Sequence, residues 1–190
     1  MRTGFFITQD QRNIERTDMT NYKTNQGINS LIRPKSIALF GCSPDSERVI
    51  NNLPLRLLQT RGYPGKIFPI NHRYDEIWGL KCFPSISDVP LEEEIDLAFL
   101  LVPFARVIQV LEECAQRNVR SVIIGSGGFA EASKDGAERQ EKIKDIARKS
   151  GMRIMGPNCL GLINVPDRVY PTFSPVQDLE LYPGKVGIVA

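Results

Sequence analysis

The strongest strand signal in this sequence is the apolar stretch Asp96-Leu97-Ala98-Phe99-Leu100-Leu101-Val102. Its apolar residues follow one another without alternating polar ones, and the run ends at Pro103. A short, continuous apolar run is typical of a strand that is buried on both faces, as strands are in a parallel sheet. The stretch therefore predicts a central β-strand in an α/β domain.

Similar short apolar runs lie on both sides of this stretch and predict a sheet of six strands. Several of them end at glycine, and one is entered through the turn signal Gly62-Tyr63-Pro64-Gly65. The five further runs cover residues 37–41, 67–71, 121–125, 153–156 and 185–190.

Amphipathic segments separate the predicted strands. Residues 104–118 and 137–150 carry apolar positions at helical spacing, and Gly151 stands where a left-handed C-cap is expected. Residues 45–60 give a weaker helical pattern, which Pro54 interrupts or kinks. The alternation of strands and helices predicts a doubly wound parallel sheet, Rossmann-like, with right-handed crossovers. Six strands suggest the order 3-2-1-4-5-6.

Composition excludes several classes of protein. The 190 residues carry 24 basic and 22 acidic side chains, a net charge of +2, which argues against a nucleic-acid binder driven by bulk charge. No apolar run approaches the ~18 residues of a membrane-spanning helix. The four cysteines lack metal-ligand spacing, so we expect no metal site and a cytoplasmic protein with reduced thiols.

Two regions are expected from the distribution of residue types. Residues 1–30 are rich in polar and charged side chains and predict a flexible N-terminal tail. Residues 31–190 form the predicted α/β domain.

Ligands of doubly wound sheets bind at the carboxyl ends of the strands, so the residues that follow each strand are the candidates. After the first strand, Gly41 and Ser43 can present backbone N–H groups and a hydroxyl to a phosphate. The turn lacks the Gly-x-Gly-x-x-Gly pattern of nicotinamide-binding domains. A helix N-cap explains Ser43 equally well.

After the second strand, Arg73 stands where NAD-binding domains place an acidic residue. A cation there suits a phosphorylated ribose, as in NADP or in the 3′-phosphate of coenzyme A, and the alternative is a solvated surface arginine. His72, the only histidine, has no triad or metal partner near it in sequence and is interpreted as structural.

The later strand ends add further candidates. Val102-Pro103 can lie against an adenine or a pantetheine arm, although Pro103 also suits the start of a helix. The loop Gly125-Ser126-Gly127-Gly128 permits a close approach of the backbone to a ligand. Asn158 offers a donor and an acceptor, whereas Cys159 lacks an adjacent base and favours a structural role.

Taken together, these segments resemble a known family. The segment Gly156-Pro157-Asn158-Cys159-Leu160-Gly161 is fairly specific when it stands in order with the others. The sequence is similar to the N-terminal coenzyme A-binding domain of the nucleoside-diphosphate-forming acyl-CoA synthetases, which include ADP-forming acetyl-CoA synthetase and the succinyl-CoA synthetase alpha subunit. The matching segments are residues 37–43, 65–71, 74–85, 96–103, 128–131 and 156–161.

The resemblance implies that coenzyme A lies across the strand ends. It places Gly41 and Ser43 at the nucleotide phosphates and Arg73 near the 3′-phosphate, where the family usually carries a lysine. It places Asn158, with Cys159, towards the thiol. The residues that it implies along the adenine and pantetheine path are Val102, Pro103, Ser126 and Gly127.

The resemblance also implies parts that this sequence does not match. The phosphorylated histidine and the ATP-binding domain of that family have no counterpart here, so we expect a CoA-binding domain that was cut before a second, downstream ligase domain. Such a chain binds CoA or acyl-CoA without catalysing, and it is compatible with an oligomer. Two alternatives stay open: an NADP-binding oxidoreductase domain, and a stand-alone CoA- or nucleotide-sensing module.

Overall fold

The computed structural model describes residues 28–44, 49–176, 179–185 and 187. Most of the predicted tail, residues 1–27, therefore lies outside the described residues. Residues 28–32 are helical, and Ser30 is buried, with its hydroxyl 2.7 Å from that of Ser121. Within the described part of the chain, no helix is long and apolar enough to cross a lipid bilayer.

After the helical residues 28–32, seven strands, three α-helices and two 3-10 helices follow one another along the described chain. The 3-10 helices cover Ile86–Asp88 and Phe104–Arg106. The α-helices are α1 (Val49–Thr60), α2 (Val107–Gln116) and α3 (Lys134–Ser150). The strands are β1 (Ser36–Phe40), β2 (Lys66–Ile70), β3 (Glu76–Ile77), β4 (Leu80–Lys81), β5 (Leu97–Leu100), β6 (Ser121–Ile124) and β7 (Arg153–Met155).

Five of these strands form one parallel sheet in the order β2-β1-β5-β6-β7. The predicted fold class, a doubly wound parallel sheet, is confirmed. The predicted strand order 3-2-1-4-5-6 is wrong, because the third long strand, β5, pairs with β1 and does not lie outside β2. The sheet strands therefore run 2-1-3-4-5 in chain order.

The space outside β2 is filled by a much shorter segment. After the β3–β4 hairpin, Phe83 pairs with Ile70 through a single parallel bridge. The N–H of Phe83 donates to Pro69 O, and its carbonyl accepts from the N–H of Asn71, both at 2.9 Å. This segment has no continuous apolar run, so the sequence pattern does not reveal it as a neighbour of β2.

Alternating residues of the strands build two hydrophobic layers, one on each face of the sheet. On one face, Phe40 and Leu100 pack against helices α2 and α3. On the other face, Leu39 and Phe99 pack against helix α1 and against the irregular segment 157–176. Burial on both faces explains why the strand sequences are continuously apolar.

The helices match the sequence prediction at several positions. The apolar face predicted for residues 104–118 is buried, and the helix begins as a 3-10 turn after Pro103. Helix α3 ends at Gly151, whose φ of 74° is the predicted left-handed C-cap. Helix α1 continues through Pro54 without interruption. In the predicted sixth strand, residues 185–190, only Lys185 and Gly187 are described, and neither lies in a strand.

Candidate ligand-binding cleft

A cleft of about 470 Å³ opens at the carboxyl ends of β1, β2 and β5. The strand that follows β1 in the chain, β2, lies on one side of β1, and the next long strand, β5, lies on its other side. The strand order therefore reverses between β1 and β5, which flank the topological switch point of the sheet. Ligands of open α/β sheets bind at this place, and the volume suits a small molecule. The lining residues are Phe40, Gly41, Ser43, Asn51, Ile70, Asn71, His72, Arg73, Tyr74, Pro84, Ser85, Leu101, Val102, Pro103, Arg106, Gln109, Val110 and Glu113.

Gly41, which follows β1, lies close to the ends of β2 and β5. Its N–H donates to Ile70 O at 3.2 Å, and its φ is 80°. A Cβ atom at this position would collide with the carbonyl oxygen of Leu101. The residue after β1 must therefore be glycine, because any side chain would prevent this close approach to Leu101 at the base of the cleft.

Two asparagine side chains fix the loops around the cleft, and the sequence prediction did not assign them to the site. Asn51 Nδ2 donates to Gly41 O at 2.8 Å and to Leu101 O at 3.3 Å. Asn71 Nδ2 donates to Cys42 O at 2.7 Å, while Asn71 Oδ1 accepts from the N–H of Arg73 at 3.1 Å. These bonds hold the first turn and the Arg73 loop in one arrangement.

The predicted phosphate-side residues all line the cleft. Ser43 is buried, and its Oγ lies 3.4 Å from the hydroxyl of Tyr74, which also lines the cleft. Arg73 is exposed on the loop after β2 and faces the same space. The residues that follow Pro44, in which the sequence analysis weighed a helix N-cap, are 45–48 and lie outside the described residues.

The cleft carries a second guanidinium that the sequence prediction missed. Arg106 projects from the 3-10 turn before α2 and is exposed. Neither Arg73 nor Arg106 forms an ion pair with another side chain in the described parts of the chain. Two cations without such partners make the rim of the cleft suited to an anion.

Ser126, Gly127 and Asn158 do not line the cleft itself but form an adjoining group. The hydroxyl of Ser126 donates to Val102 O at 2.6 Å, and the N–H of Asn158 donates to Ser126 O at 3.0 Å. A Cβ atom at Gly127 would lie 3.1 Å from Asn158 Oδ1. The predicted residues are thus brought together in two groups, which meet at Val102.

The glycine loop after β6 is held by a carboxylate. Glu131 Oε1 accepts from the N–H of Gly128 at 2.7 Å. Hydrogen bonds from its own backbone and from that of Gly128 and Phe129 hold the pKa of the Glu131 carboxyl below its usual range. The loop is therefore a defined turn and not a loose connection.

The four cysteines differ in accessibility. Cys42, Cys82 and Cys114 are buried, and burial raises the pKa of Cys42 to about 12 and that of the other two thiols above the usual range. The half-buried Cys159 accepts a hydrogen bond at Sγ from the N–H of Gly161 at 3.4 Å. The sequence prediction of a buried structural Cys159 holds only in part, since this thiol is the accessible one.

Thiol labelling tests this difference directly. At about pH 8 we expect iodoacetamide to modify Cys159 rapidly in the native protein, and the three buried thiols only at the rate of unfolding. Mass spectrometry of peptides taken at early times measures the distribution. The denatured protein, in which all four cysteines react, is the control. Rapid modification of Cys42 or Cys82 would contradict the packing described here.

A family model described as CoA binding domain matches residues 35–165, which is more than half of the chain. The chain belongs to the CoA-binding domain family. The resemblance predicted from the sequence is confirmed, and residue 35 lies just before β1, so the match contains the whole cleft.

Relatives of this CoA-binding domain occur within larger ligases. The ADP-forming acetate–CoA ligase of Methanocaldococcus jannaschii is 41% identical over 155 residues, which are 82% of this chain and 20% of the ligase. The ADP-forming acetate–CoA ligase II of Archaeoglobus fulgidus is 38% identical over 163 residues, which are 86% of this chain and 24% of the ligase. The chain thus spans about a quarter or less of either ligase.

A solved structure shows the same fold. The dinucleotide forming acetyl-coenzyme A synthetase 1 of Ca. Korarchaeum cryptofilum, in complex with phosphate and ADP, is 35% identical and superposes with a TM-score of 0.73. The match covers 79% of this chain and 31% of that one. The switch-point cleft lies at the carboxyl ends of the strands, and it is the first candidate for the ligand site of this CoA-binding domain.

Proposed function

We propose that this chain is the part of an ADP-forming acyl-CoA ligase that binds coenzyme A, and that CoA lies in the switch-point cleft. The observation that carries the proposal is the pair of guanidiniums, Arg73 and Arg106, at the rim of a cleft in a domain of the CoA-binding family. CoA is a substrate in this proposal, because the ligase reaction acylates its thiol.

The cationic side chains at the rim of the cleft bind the phosphates of CoA. Arg73 on the loop after β2 binds the 3′-phosphate of the ribose through charge-assisted hydrogen bonds. The loop that carries it is held through Asn71, whose Oδ1 accepts from the N–H of Arg73. Gly41 and Ser43 lie at the diphosphate, and glycine at position 41 keeps the backbone open to the ligand.

The adjoining group, Ser126, Gly127 and Asn158, indicates the path that the pantetheine arm takes out of the cleft. Val102 and Pro103 line the cleft, and the Val102 carbonyl is joined to Ser126, which is joined in turn to Asn158. An arm that leaves the cleft over Val102 reaches Asn158 and the accessible Cys159. We infer that the CoA thiol emerges at this end of the domain.

The proposal divides the work of the ligase between domains. This chain binds and orients CoA, while activation of the acyl group belongs to other parts of the protein, as expected for a domain that spans 20–24% of its ligase relatives. The only histidine, His72, lies at the cleft rim and is assigned no phosphoryl transfer. Four unpaired cysteines accord with the proposed cytoplasmic location.

Calorimetry with CoA and with NADPH tests the proposal against its main alternative. A cation after β2 suits the 2′-phosphate of NADP as well as the 3′-phosphate of CoA, so Arg73 alone does not separate them. We expect heat of binding with CoA and a much weaker signal with NADPH. Tighter binding of NADPH would favour an oxidoreductase domain and would overturn the proposal.

A further inference from the structure

One wall of the cleft carries a feature that phosphate binding does not explain. Glu113 on helix α2 is the only acidic side chain among the described lining residues, and it shares the cleft with Arg73 and Arg106. A carboxylate in the site of a ligand with several phosphates is repelled by those phosphates, and a hydrogen bond that it accepts from the ligand offsets this cost. Glu113 therefore suits a ligand that presents a hydrogen-bond donor to α2.

The spacing of the polar residues on this wall indicates where such a donor group of the ligand would lie. Arg106, Gln109 and Glu113 lie three and seven residues apart, and all three line the cleft. Residues at this spacing share one side of a helix, and seven residues span about 10 Å along its axis. The wall is therefore cationic near the strand ends and acidic about two turns further along.

The carboxylate at the acidic end of the wall already accepts a hydrogen bond from a neighbouring amide. Gln109 Nε2 donates to Glu113 Oε1 at 2.9 Å. Among the described residues, the second N–H of the amide and the second carboxylate oxygen have no hydrogen-bond partner, and together they offer a donor beside an acceptor. The apolar side chains of Ile70, Pro84 and Val110 line the same cleft and suit the faces of a planar ring.

We propose that Gln109 and Glu113 recognise the adenine base of CoA by its hydrogen-bonding edge. Glu113 accepts from the 6-amino group, and the amide of Gln109 donates to the neighbouring ring nitrogen N1. The amino group is the one donor on this edge of adenine, which matches the one carboxylate among the described lining residues. The inference rests on the proposed function, because it requires CoA to lie in the cleft with its phosphates at the cationic end.

The etheno derivative of CoA, in which a bridge joins N1 and the 6-amino nitrogen, is the direct probe. It keeps every phosphate and the pantetheine arm but can neither donate from the amino group nor accept at N1. We expect the wild-type protein to bind CoA at least about 10-fold more tightly than etheno-CoA, because etheno-CoA loses both the hydrogen bond to the Glu113 carboxylate and the weaker one from the Gln109 amide. Glu113→Ala should weaken CoA by about 10-fold and leave etheno-CoA unchanged, so that only the smaller preference due to the Gln109 bond to N1 stays.

A matched control lies beside the proposed residue. Glu112→Ala removes the same charge from an exposed position of α2 that does not line the cleft, and it should leave the preference for CoA intact. Alanine is a strong helix former, so both variants should keep the fold, which thermal unfolding measures. Glu113→Gln keeps an acceptor and should recover part of the preference.

The outcomes separate this inference from the proposed function. Equal binding of CoA and etheno-CoA by the wild type, or an equal loss of both in Glu113→Ala, would overturn the role of Glu113 in base recognition while CoA binding stands. Failure of the wild type to bind CoA at all would overturn the proposed function, and the inference with it.

Discussion

Replacing Arg73 with alanine is expected to weaken CoA binding by about 10- to 150-fold and to leave dephospho-CoA nearly unaffected. The variant removes a hydrogen bond between a guanidinium and a phosphate, which contributes about 1.5–3 kcal/mol. Dephospho-CoA lacks the 3′-phosphate, so it has nothing to lose at this position. Calorimetric titration of both ligands into both proteins gives the four affinities.

Arg56→Ala is the control for charge in this comparison. Arg56 is an exposed arginine of helix α1 that does not line the cleft, so its loss changes the net charge equally without touching the site. It should alter CoA affinity by less than about 2-fold, because exposed charges at a distance are screened by salt. If Arg73→Ala weakened CoA and dephospho-CoA by the same factor, the 3′-phosphate assignment would be wrong.

Gly41→Ala is expected to destabilise the domain by about 2–4 kcal/mol. The substitution forces a side chain into a left-handed conformation and drives its Cβ against the Leu101 carbonyl oxygen, which lies in backbone that is fixed by β1. For a domain of this size the melting temperature should fall by about 5–15 °C. Calorimetric or circular-dichroism melting curves measure the change.

Gly79→Ala separates the two causes. Gly79 has a φ of 78°, almost the same as Gly41, but a Cβ atom there would meet nothing within 4 Å. It carries the conformational strain without the collision, so its cost should be about 1 kcal/mol. Similar melting temperatures for the two variants would show that the close approach of Gly41 to Leu101 does not constrain the fold.

Five of the six strands that the sequence predicted form the parallel sheet, but the sequence predicted neither their order nor the β3–β4 hairpin. The continuous apolar residues of β1 and β5 indicate that these strands are buried on both faces of the sheet. Such burial occurs in any parallel sheet that is covered on both sides, so it does not reveal which strands are adjacent. The segment at Phe83 lies outside β2 and is joined to it by one bridge and a few backbone hydrogen bonds. Such pairing leaves no periodic signal.

The candidate site was predicted best where it lies on strand ends. The rule that ligands bind at the carboxyl ends of parallel strands placed Gly41, Arg73 and Val102 in the observed cleft. It missed Arg106 and Asn51, because the direction in which a helix presents its side chains depends on how the helix packs. The buried face of α2 was itself predicted, and the spacing of 106, 109 and 113 beside that face was a signal available in the sequence.

Thermal unfolding of this chain with and without CoA measures whether the folded domain binds CoA. A ligand that binds only the folded state adds about 2.7 kcal/mol of stability at a hundred times its dissociation constant, which is about 5–10 °C for a domain of this size. We predict such a rise with CoA, and a smaller one for Arg73→Ala at the same CoA concentration. An unchanged melting temperature at millimolar CoA would contradict the account.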